Sequence, residues 1–138
     1  MQSSTILLVQ ERLASSASLR TRLEGKGYTV VEAADATAAV EIVNGTDVRL
    51  VVTELYLPIG KSRCLARVIG KSPDLRRTKV LAYTTHGKSV DRRWARRSGA
   101  DGYVITRSGE DRFLSVVDSL MRTPSAPRRT RARRPRPT

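Results

Sequence analysis

The sequence predicts an α/β fold in which a five-stranded parallel sheet carries helices on both faces. Five short β-like runs alternate with five segments of helical composition along residues 5–122. Three of the runs are almost continuously apolar, as expected of strands that are covered on both faces. Repeated β–α units with helical segments of roughly 10 to 15 residues favour a parallel sheet with right-handed crossovers. In such sheets, functional residues usually lie at the carboxyl ends of the strands.

Each element is assigned from its composition and from the residues at its ends. The predicted strands are residues 5–9, 28–32, 48–54, 78–84 and 101–105. The predicted helices are about 13–26, 35–44, 61–71, 88–98 and 109–122. Glycine suits a left-handed helix terminus, and one lies near the end of four of these helices, at Gly27, Gly45, Gly70 and Gly99. Ser108, followed by Glu110, marks the start of the last helix.

The composition indicates one domain of a soluble protein. The chain has 138 residues, of which 39% are apolar and 28% are charged. No apolar run approaches the roughly 18 residues that indicate a membrane span. The N-terminus has no basic residue ahead of the short apolar run at 6–9, so no signal peptide is predicted. Cys64 is the only cysteine and cannot form an internal disulfide, so a cytoplasmic location is expected.

Positive charge is the unusual feature of the composition, because the formal net charge is +13. Residues 123–138 contain six arginines and no acid, which leaves +7 on residues 1–122. A Pro/Arg-rich segment without large apolar residues cannot bury enough surface to offset its chain entropy. We therefore predict a domain at residues 1–122 and a disordered basic tail at residues 123–138.

The chain resembles the receiver domain of bacterial two-component response regulators over residues 4 to about 122. Five blocks carry the resemblance at the right spacing: ILLV and a polar pair (6–11), GYTVVEAADATAAVEIV (27–43), LVVTELYLP (50–58), VLAYTTH (80–86) and GADGYV (99–104). It implies a flavodoxin-like, doubly wound (βα)5 fold with strand order 2-1-3-4-5. It also implies a role in two-component signal transduction or a phosphorelay, in which a histidine kinase phosphorylates one aspartate at the end of the third strand.

The phosphoryl-transfer chemistry of this family needs particular residue types at the carboxyl ends of the strands. Three carboxylates hold Mg²⁺, while a hydroxyl and a lysine contact the phosphoryl oxygens. By the resemblance, the equivalent positions are Glu54 for the phosphoacceptor, Gln10 and Glu11 for the acidic pair, Thr84 for the hydroxyl, Thr106 for the lysine and Tyr103 for an aromatic residue that swings in concert with the hydroxyl. The resemblance thus implies a pseudo-receiver, which has lost the aspartate, one metal ligand and the cation but retains both switch residues.

These departures predict that the domain does not take up phosphate in the ordinary way. Glu54 is one methylene longer than aspartate, and a displacement of about 1 Å can reduce a rate by about 10²-fold. Mg²⁺ is expected to bind weakly or not at all, because Gln10 supplies no charge. Arg107 lies one residue beyond the lysine position, on the other face of an extended strand end. We expect no cofactor and no enzymatic activity.

Two interpretations of Glu54 remain open. In the first, its carboxylate reaches toward Thr84, holds Tyr103 inward and so mimics the phosphorylated state. In the second, glutamate is merely tolerated at the solvent-facing end of a strand in a degenerate pocket. Gln10 and Glu11 have the same two interpretations, as remnants of a metal site or as an ordinary polar strand end.

Two other motifs that suggest catalysis are excluded by their spacing. The tripeptide GKS occurs at 60–62, 70–72 and 87–89. A phosphate-binding loop needs a second glycine five residues before the glycine of the tripeptide. The residues at those three positions are Leu55, Leu65 and Ala82. His86 is the only histidine, and it has no aspartate or cysteine partner at a usable spacing.

The fourth helix is a candidate partner surface. Four arginines and a tryptophan lie within six residues, at Arg92, Arg93, Trp94, Arg96 and Arg97. Val90, Trp94 and Ser98 share a helical face and predict a narrow apolar stripe, whereas Arg93 and Arg96 stand where the family buries aliphatic side chains. The segment is either a partner-binding surface or a solvated basic face with one half-buried tryptophan.

The tail has the composition of a general anion binder. Its arginines are Arg128, Arg129, Arg131, Arg133, Arg134 and Arg136. No aromatic residue is interleaved with them, so any nucleic-acid binding through the tail would be backbone-driven and salt-dependent. The sequence favours a receiver-like signalling protein that acts by protein–protein contact without phosphorylation. The alternatives are a phosphorylatable regulator that uses Glu54 with a weak metal site, and a non-specific nucleic-acid-binding protein.

Overall fold

Five parallel strands form the central sheet. The computed structural model describes residues 4–9, 13–60, 63–75 and 77–124, with the backbone alone for residues 13–16. The strands are β1 (Thr5–Val9), β2 (Thr29–Ala33), β3 (Leu50–Thr53), β4 (Lys79–Thr84) and β5 (Gly102–Ile105). Their order is β2-β1-β3-β4-β5, and every neighbouring pair is parallel. This confirms the predicted fold class and strand order.

Helices cover both faces of the sheet. They are α1 (Leu13–Gly25), α2 (Ala36–Gly45), α3 (Leu65–Gly70), α4 (Ser89–Arg97) and α5 (Glu110–Arg122). Alternate strand residues point to opposite faces, so α1 and α5 share one apolar core around Phe113 and Leu23. On the other face, α2 and α3 share a second core around Leu65 and Ile69. Within the described ranges, no helix is long and apolar enough to cross a membrane.

The third helix is shorter than predicted. The two-residue strands Pro58–Ile59 and Arg63–Cys64 form an antiparallel hairpin, and α3 begins only at Leu65. The predicted start at residue 61 is therefore wrong. A turn at Gly60, where φ is +67°, reverses the chain before the helix can begin. Cys64 consequently lies in the hairpin rather than on the helix, and it is half-buried.

The predicted helix ends are correct at two glycines and wrong at two others. Gly27 and Gly99 have φ of 95° and 90°, as a left-handed terminus requires. Gly45 and Gly70 are instead the last residues of α2 and α3 and do not have positive φ. Ser108 does not cap α5, because it lies in a short 3-10 turn (Thr106–Ser108) and donates its hydroxyl to the carbonyl of Ile105.

Two buried cations hold the C-terminus of α5 at the amino edge of the sheet. Lys79 Nζ donates to the carbonyl of Leu120 at 2.8 Å, and Arg49 Nη2 donates to that of Thr123 at 2.7 Å. Cations are favourable beside the last carbonyls of a helix. Burial, together with the neighbouring Arg49, lowers the pKa of Lys79. The described chain therefore ends at the edge of the sheet opposite the carboxyl ends of the strands.

Candidate functional site

Glu54 follows β3 directly, at the carboxyl edge of the sheet. Its half-buried carboxylate accepts a hydrogen bond from the hydroxyl of Thr84, the last residue of β4. The same oxygen, Oε1, accepts from the backbone N–H of Leu55 at 2.9 Å. The neighbouring strands pair Thr53 with Ala82, which brings the two strand ends together.

Hydrogen bonds continue from Thr84 to Tyr103 through the loop after β4. The Thr84 hydroxyl, which is fully buried, accepts from the backbone N–H of His86 at 3.1 Å. The carbonyl of His86 in turn accepts a hydrogen bond from the Tyr103 hydroxyl. We call this series Glu54–Thr84–His86–Tyr103 the switch chain. It is a continuous hydrogen-bonded path from Glu54 to Tyr103.

Tyr103 is half-buried and turned toward this loop. Its ring packs beside the small apolar cluster of Leu55, Ala82 and Ala95. The guanidinium of Arg92 lies 5.3 Å from the ring centroid, within cation–π range. Burial and the nearby Asp91 carboxylate raise the pKa of Tyr103. The tyrosine therefore joins the switch chain to the first turns of α4.

A second contact fixes α4 to the segment after β3. The Tyr56 hydroxyl donates to Asp91 Oδ1 at 2.5 Å, and the backbone N–H of Lys88 donates to Asp91 Oδ2 at 3.0 Å. Asp91 is only 7% exposed, and the hydrogen bond from Tyr56 lowers the pKa of its carboxyl. The same bond, with burial, raises the pKa of Tyr56 to about 12. The Tyr56 ring lies 5.0 Å from the His86 ring and 5.1 Å from that of Trp94.

The Tyr56–Asp91 contact was not predicted from the sequence. The two residues are 35 positions apart, and the sequence carries no pattern that pairs them. The one available indication was the position of Asp91 in the first turn of a helix otherwise rich in arginine.

The face of α4 that is buried in the structure differs from the predicted apolar stripe. The buried residues of the helix and its cap are Asp91, Ala95 and Ser98. Val90 is 57% exposed, so its predicted place in the stripe is wrong, whereas Trp94 is half-buried and Ser98 is buried. The buried Asp91 rather than Val90 faces the protein, because the hydroxyl of Tyr56 and the N–H of Lys88 satisfy its carboxylate.

The four arginines of α4 point away from the core. Arg92, Arg93, Arg96 and Arg97 are all exposed. Arg93 and Arg96 therefore do not occupy the buried positions that the family gives to aliphatic residues. The α4 surface, defined as Arg92, Arg93, Trp94, Arg96, Arg97 and Tyr103, is accordingly basic with two half-buried aromatic rings.

Among the described residues, the remaining predicted pocket position, Thr106, does not join the switch chain. Thr106 is half-buried in the turn after β5, and within the described residues no hydrogen bond or ion pair links the side chain of Thr106 or Arg107 to Glu54. Instead, Arg107 Nη2 lies 3.6 Å from where a Cβ on Gly87 would stand. Gln10, Glu11 and the arginines of the predicted tail lie outside the described residues.

The described residues do not form a site for the Mg²⁺ ion that the family's chemistry uses. Among them, no three carboxylate, histidine or cysteine side chains are grouped closely enough to hold a metal ion. Glu54 Oε1 already accepts two hydrogen bonds, from Thr84 and Leu55.

The fold and the site together define a class of protein: a parallel α/β domain in which hydrogen-bonded polar residues lie at the carboxyl ends of the third and fourth strands. The family model of the response regulator receiver domain matches residues 6–118. The chain belongs to this family, whose receiver domains are signalling modules.

Known proteins of the family are similar along most of this chain. The transcriptional regulatory protein TcrA of Mycobacterium tuberculosis is 33% identical over 128 residues, which are 89% of this chain and 48% of TcrA. The aerobic respiration control protein ArcA of Escherichia coli is 29% identical over 116 residues, which are 84% of this chain and 47% of ArcA. The chain thus spans about half the length of these curated relatives. The non-phosphorylated HemR receiver domain of Leptospira biflexa superposes with a TM-score of 0.73 at 26% identity, over 86% of this chain and 94% of that one.

Proposed function

We propose that this receiver domain signals without phosphorylation, with Glu54 holding the switch residues in one arrangement. The switch chain supports the proposal most directly, because the Glu54 carboxylate accepts a hydrogen bond from the Thr84 hydroxyl without a phosphoryl group between them. In the family, the hydroxyl and the aromatic residue respond together to a phosphoryl group on the strand-three aspartate. A glutamate places its negative charge further out than an aspartate does, toward the position that phosphoryl oxygens would occupy.

The α4 surface is the proposed point of contact with a partner. Tyr103 is the last member of the switch chain, and its ring also lies under the guanidinium of Arg92. A rearrangement of the switch chain would therefore move residues of α4. Tyr56 and Asp91 fix the same helix from the other side. The surface is therefore held in place by two separate hydrogen-bonded contacts, neither of which requires phosphate.

A ligand titration tests the proposal. The protein is mixed with Mg²⁺ and beryllium fluoride, a phosphoryl analogue, and the backbone amides of Thr84 and Tyr103 are followed by NMR. We expect no saturable shift, because the described site offers one carboxylate and no cation. Acetyl phosphate should likewise produce no stable phosphorylated species by intact-mass spectrometry.

A rebuilt variant is the matched control for this titration. The substitutions Gln10→Asp, Glu54→Asp and Thr106→Lys together restore the family's residue types, while Glu11 and Thr84 stay in place. The rebuilt variant should show the saturable shift. The same shift in the unsubstituted chain would contradict the proposal and establish Glu54 as a working phosphoacceptor.

A further inference from the structure

Exposed cations are concentrated on the helical layer that contains α3 and α4. The basic surface is defined as six exposed residues of this layer, Arg67, Lys71, Arg92, Arg93, Arg96 and Arg97. No carboxylate of a described residue lies within ion-pair distance of these six. The one acid on α4, Asp91, is buried and hydrogen-bonded to Tyr56.

The opposite layer has a different charge pattern. There, the basic residues of α1 are paired with acids: Arg20 with Glu32, at 2.7 Å, and Lys26 with Asp118, at 2.8 Å. Arg22 also pairs with Asp111, at 2.8 Å. The basic surface is therefore not a general consequence of the composition, because the same chain neutralises its cations elsewhere.

The arginines of α4 form a regular array. At about 100° per residue, the four lie within an arc of about 140° that is centred opposite the buried Asp91 and Ala95. Arg92 and Arg96 form one i, i+4 ridge, and Arg93 and Arg97 form a second. An array of this kind presents planar guanidinium groups outward from a convex surface.

The C-terminal end of α3 lies against the turn that follows α4 and so extends the array. A Cβ on Gly70, at the end of α3, would lie 2.3 Å from the carbonyl oxygen of Ser98. A Cβ on Gly99 would lie 2.6 Å from the carbonyl oxygen of Gly70. The backbones touch at these two glycines, so Arg67 and Lys71 stand close to the C-terminal end of α4.

The basic surface offers little exposed apolar area to a protein partner. Protein interfaces have an apolar or aromatic core within a polar rim. Among the described residues, Val90 is the only large apolar side chain that is exposed. Trp94 is half-buried and packs on the ring of Tyr56. Nucleic-acid interfaces, by contrast, are polar and strongly positive, and guanidinium groups bind phosphate through two parallel hydrogen bonds.

We propose that the basic surface binds the phosphate backbone of nucleic acid, without reading its sequence. The basic surface shares its four α4 arginines with the α4 surface, so the inference rests on the proposed function in naming the kind of partner that this surface binds. It does not depend on the state of Glu54. The side chains that carry it lie within the folded domain and are distinct from the arginines of the predicted tail.

Fluorescence anisotropy with a labelled DNA duplex of about 20 base pairs tests this inference on the full chain. The salt dependence of binding is measured between about 50 and 200 mM salt for three proteins. The first is the unsubstituted chain, and the second carries Arg93→Gln and Arg97→Gln. The third carries Arg20→Gln and Arg22→Gln on the opposite layer, so that both variants lose two positive charges and retain residues 123–138.

Loss of two phosphate contacts should reduce the magnitude of the slope of log K against log salt concentration by about 1.8. It should also weaken binding by about tenfold or more at 0.1 M salt. We expect this for the α4 variant, with little change for the α1 variant. Equal losses in both variants would overturn the proposal, because binding would then depend on net charge and the tail. Displacement of the DNA by poly-glutamate of matched charge at equal concentration would also overturn it, because the surface would then bind acidic proteins instead of nucleic acid. A failed DNA experiment leaves the beryllium fluoride test of Glu54 unaffected.

Discussion

Replacing Tyr56 with phenylalanine should destabilise the domain by about 1.5 to 3 kcal/mol, the usual worth of a hydrogen bond to a charged group. The lost hydroxyl donates to Asp91 at 2.5 Å, and this carboxylate is 7% exposed, so water replaces the donor poorly. The ring itself remains, with its contacts to His86 and Trp94, so no cavity is added to the loss. Asp91 retains one donor, the backbone N–H of Lys88.

Urea unfolding followed by far-UV circular dichroism measures this loss. Tyr28→Phe is the matched control, because Tyr28 donates to Asp118 at 2.7 Å on the opposite layer of the protein. Both substitutions should reduce stability, but only Tyr56→Phe should change the fluorescence of Trp94, the only tryptophan in the chain. A change of less than about 0.5 kcal/mol for Tyr56→Phe would refute the argument that this contact anchors α4.

The same contact should give stability a defined pH dependence. The pKa of Asp91 is lowered in the folded state, so its contribution is present above the ordinary aspartate value of about 3.9 and is lost as pH falls through the folded value. The pKa of Tyr56 is raised to about 12, so its contribution is present below about 10 and is lost as pH rises from there to about 12. Tyr56→Phe should weaken the acid dependence and remove the tyrosine contribution in alkali.

Three further substitutions test contacts elsewhere in the domain. Gly99→Ala should destabilise the domain by about 2 kcal/mol or more, because the new Cβ meets the Gly70 carbonyl oxygen and φ is +90°. Gly109→Ala, at a φ of +96° and a ψ of 161° with open space around it, should lose only the backbone strain of about 1 to 3 kcal/mol and less than Gly99→Ala loses, and equal losses in urea would contradict the steric argument. Lys79→Met should lose about 1 to 3 kcal/mol, because the carbonyls of Leu120 and Thr123 lose a charged donor, and an unchanged midpoint would show that this cation does not anchor α5.

Elements with strong local patterns were predictable from the sequence. The apolar run at 5–9 forms β1 with the predicted bounds. Glu54 and Thr84 were placed at neighbouring strand ends from the motifs alone, and the sheet brings them into hydrogen-bonding contact. The order of parallel strands followed from the family resemblance, and the structure confirms it.

Features that depend on distant contacts were not predictable. The buried face of α4 was assigned to a stripe of Val90, Trp94 and Ser98, and Val90 was included because an apolar residue is ordinarily preferred to an acid inside a protein. The hydroxyl of Tyr56 reverses that preference by satisfying Asp91, and no local pattern encodes a contact between these two residues. The start of α3 was misplaced for a related reason, since Gly60 turns the chain into a hairpin that helical composition alone does not reveal.

In the proposed function, the Glu54 carboxylate holds the loop between β4 and α4. The most direct test of this role is the amide hydrogen exchange of His86, whose N–H donates to the Thr84 hydroxyl, in Glu54→Gln compared with the unsubstituted chain. Glu41→Gln, which removes the same charge from an exposed position on α2, is the control. A neutral acceptor is weaker than a carboxylate by about 1 kcal/mol, so exchange at His86 should be about fivefold faster in Glu54→Gln and unchanged in Glu41→Gln. Equal exchange rates in all three proteins would contradict the claim.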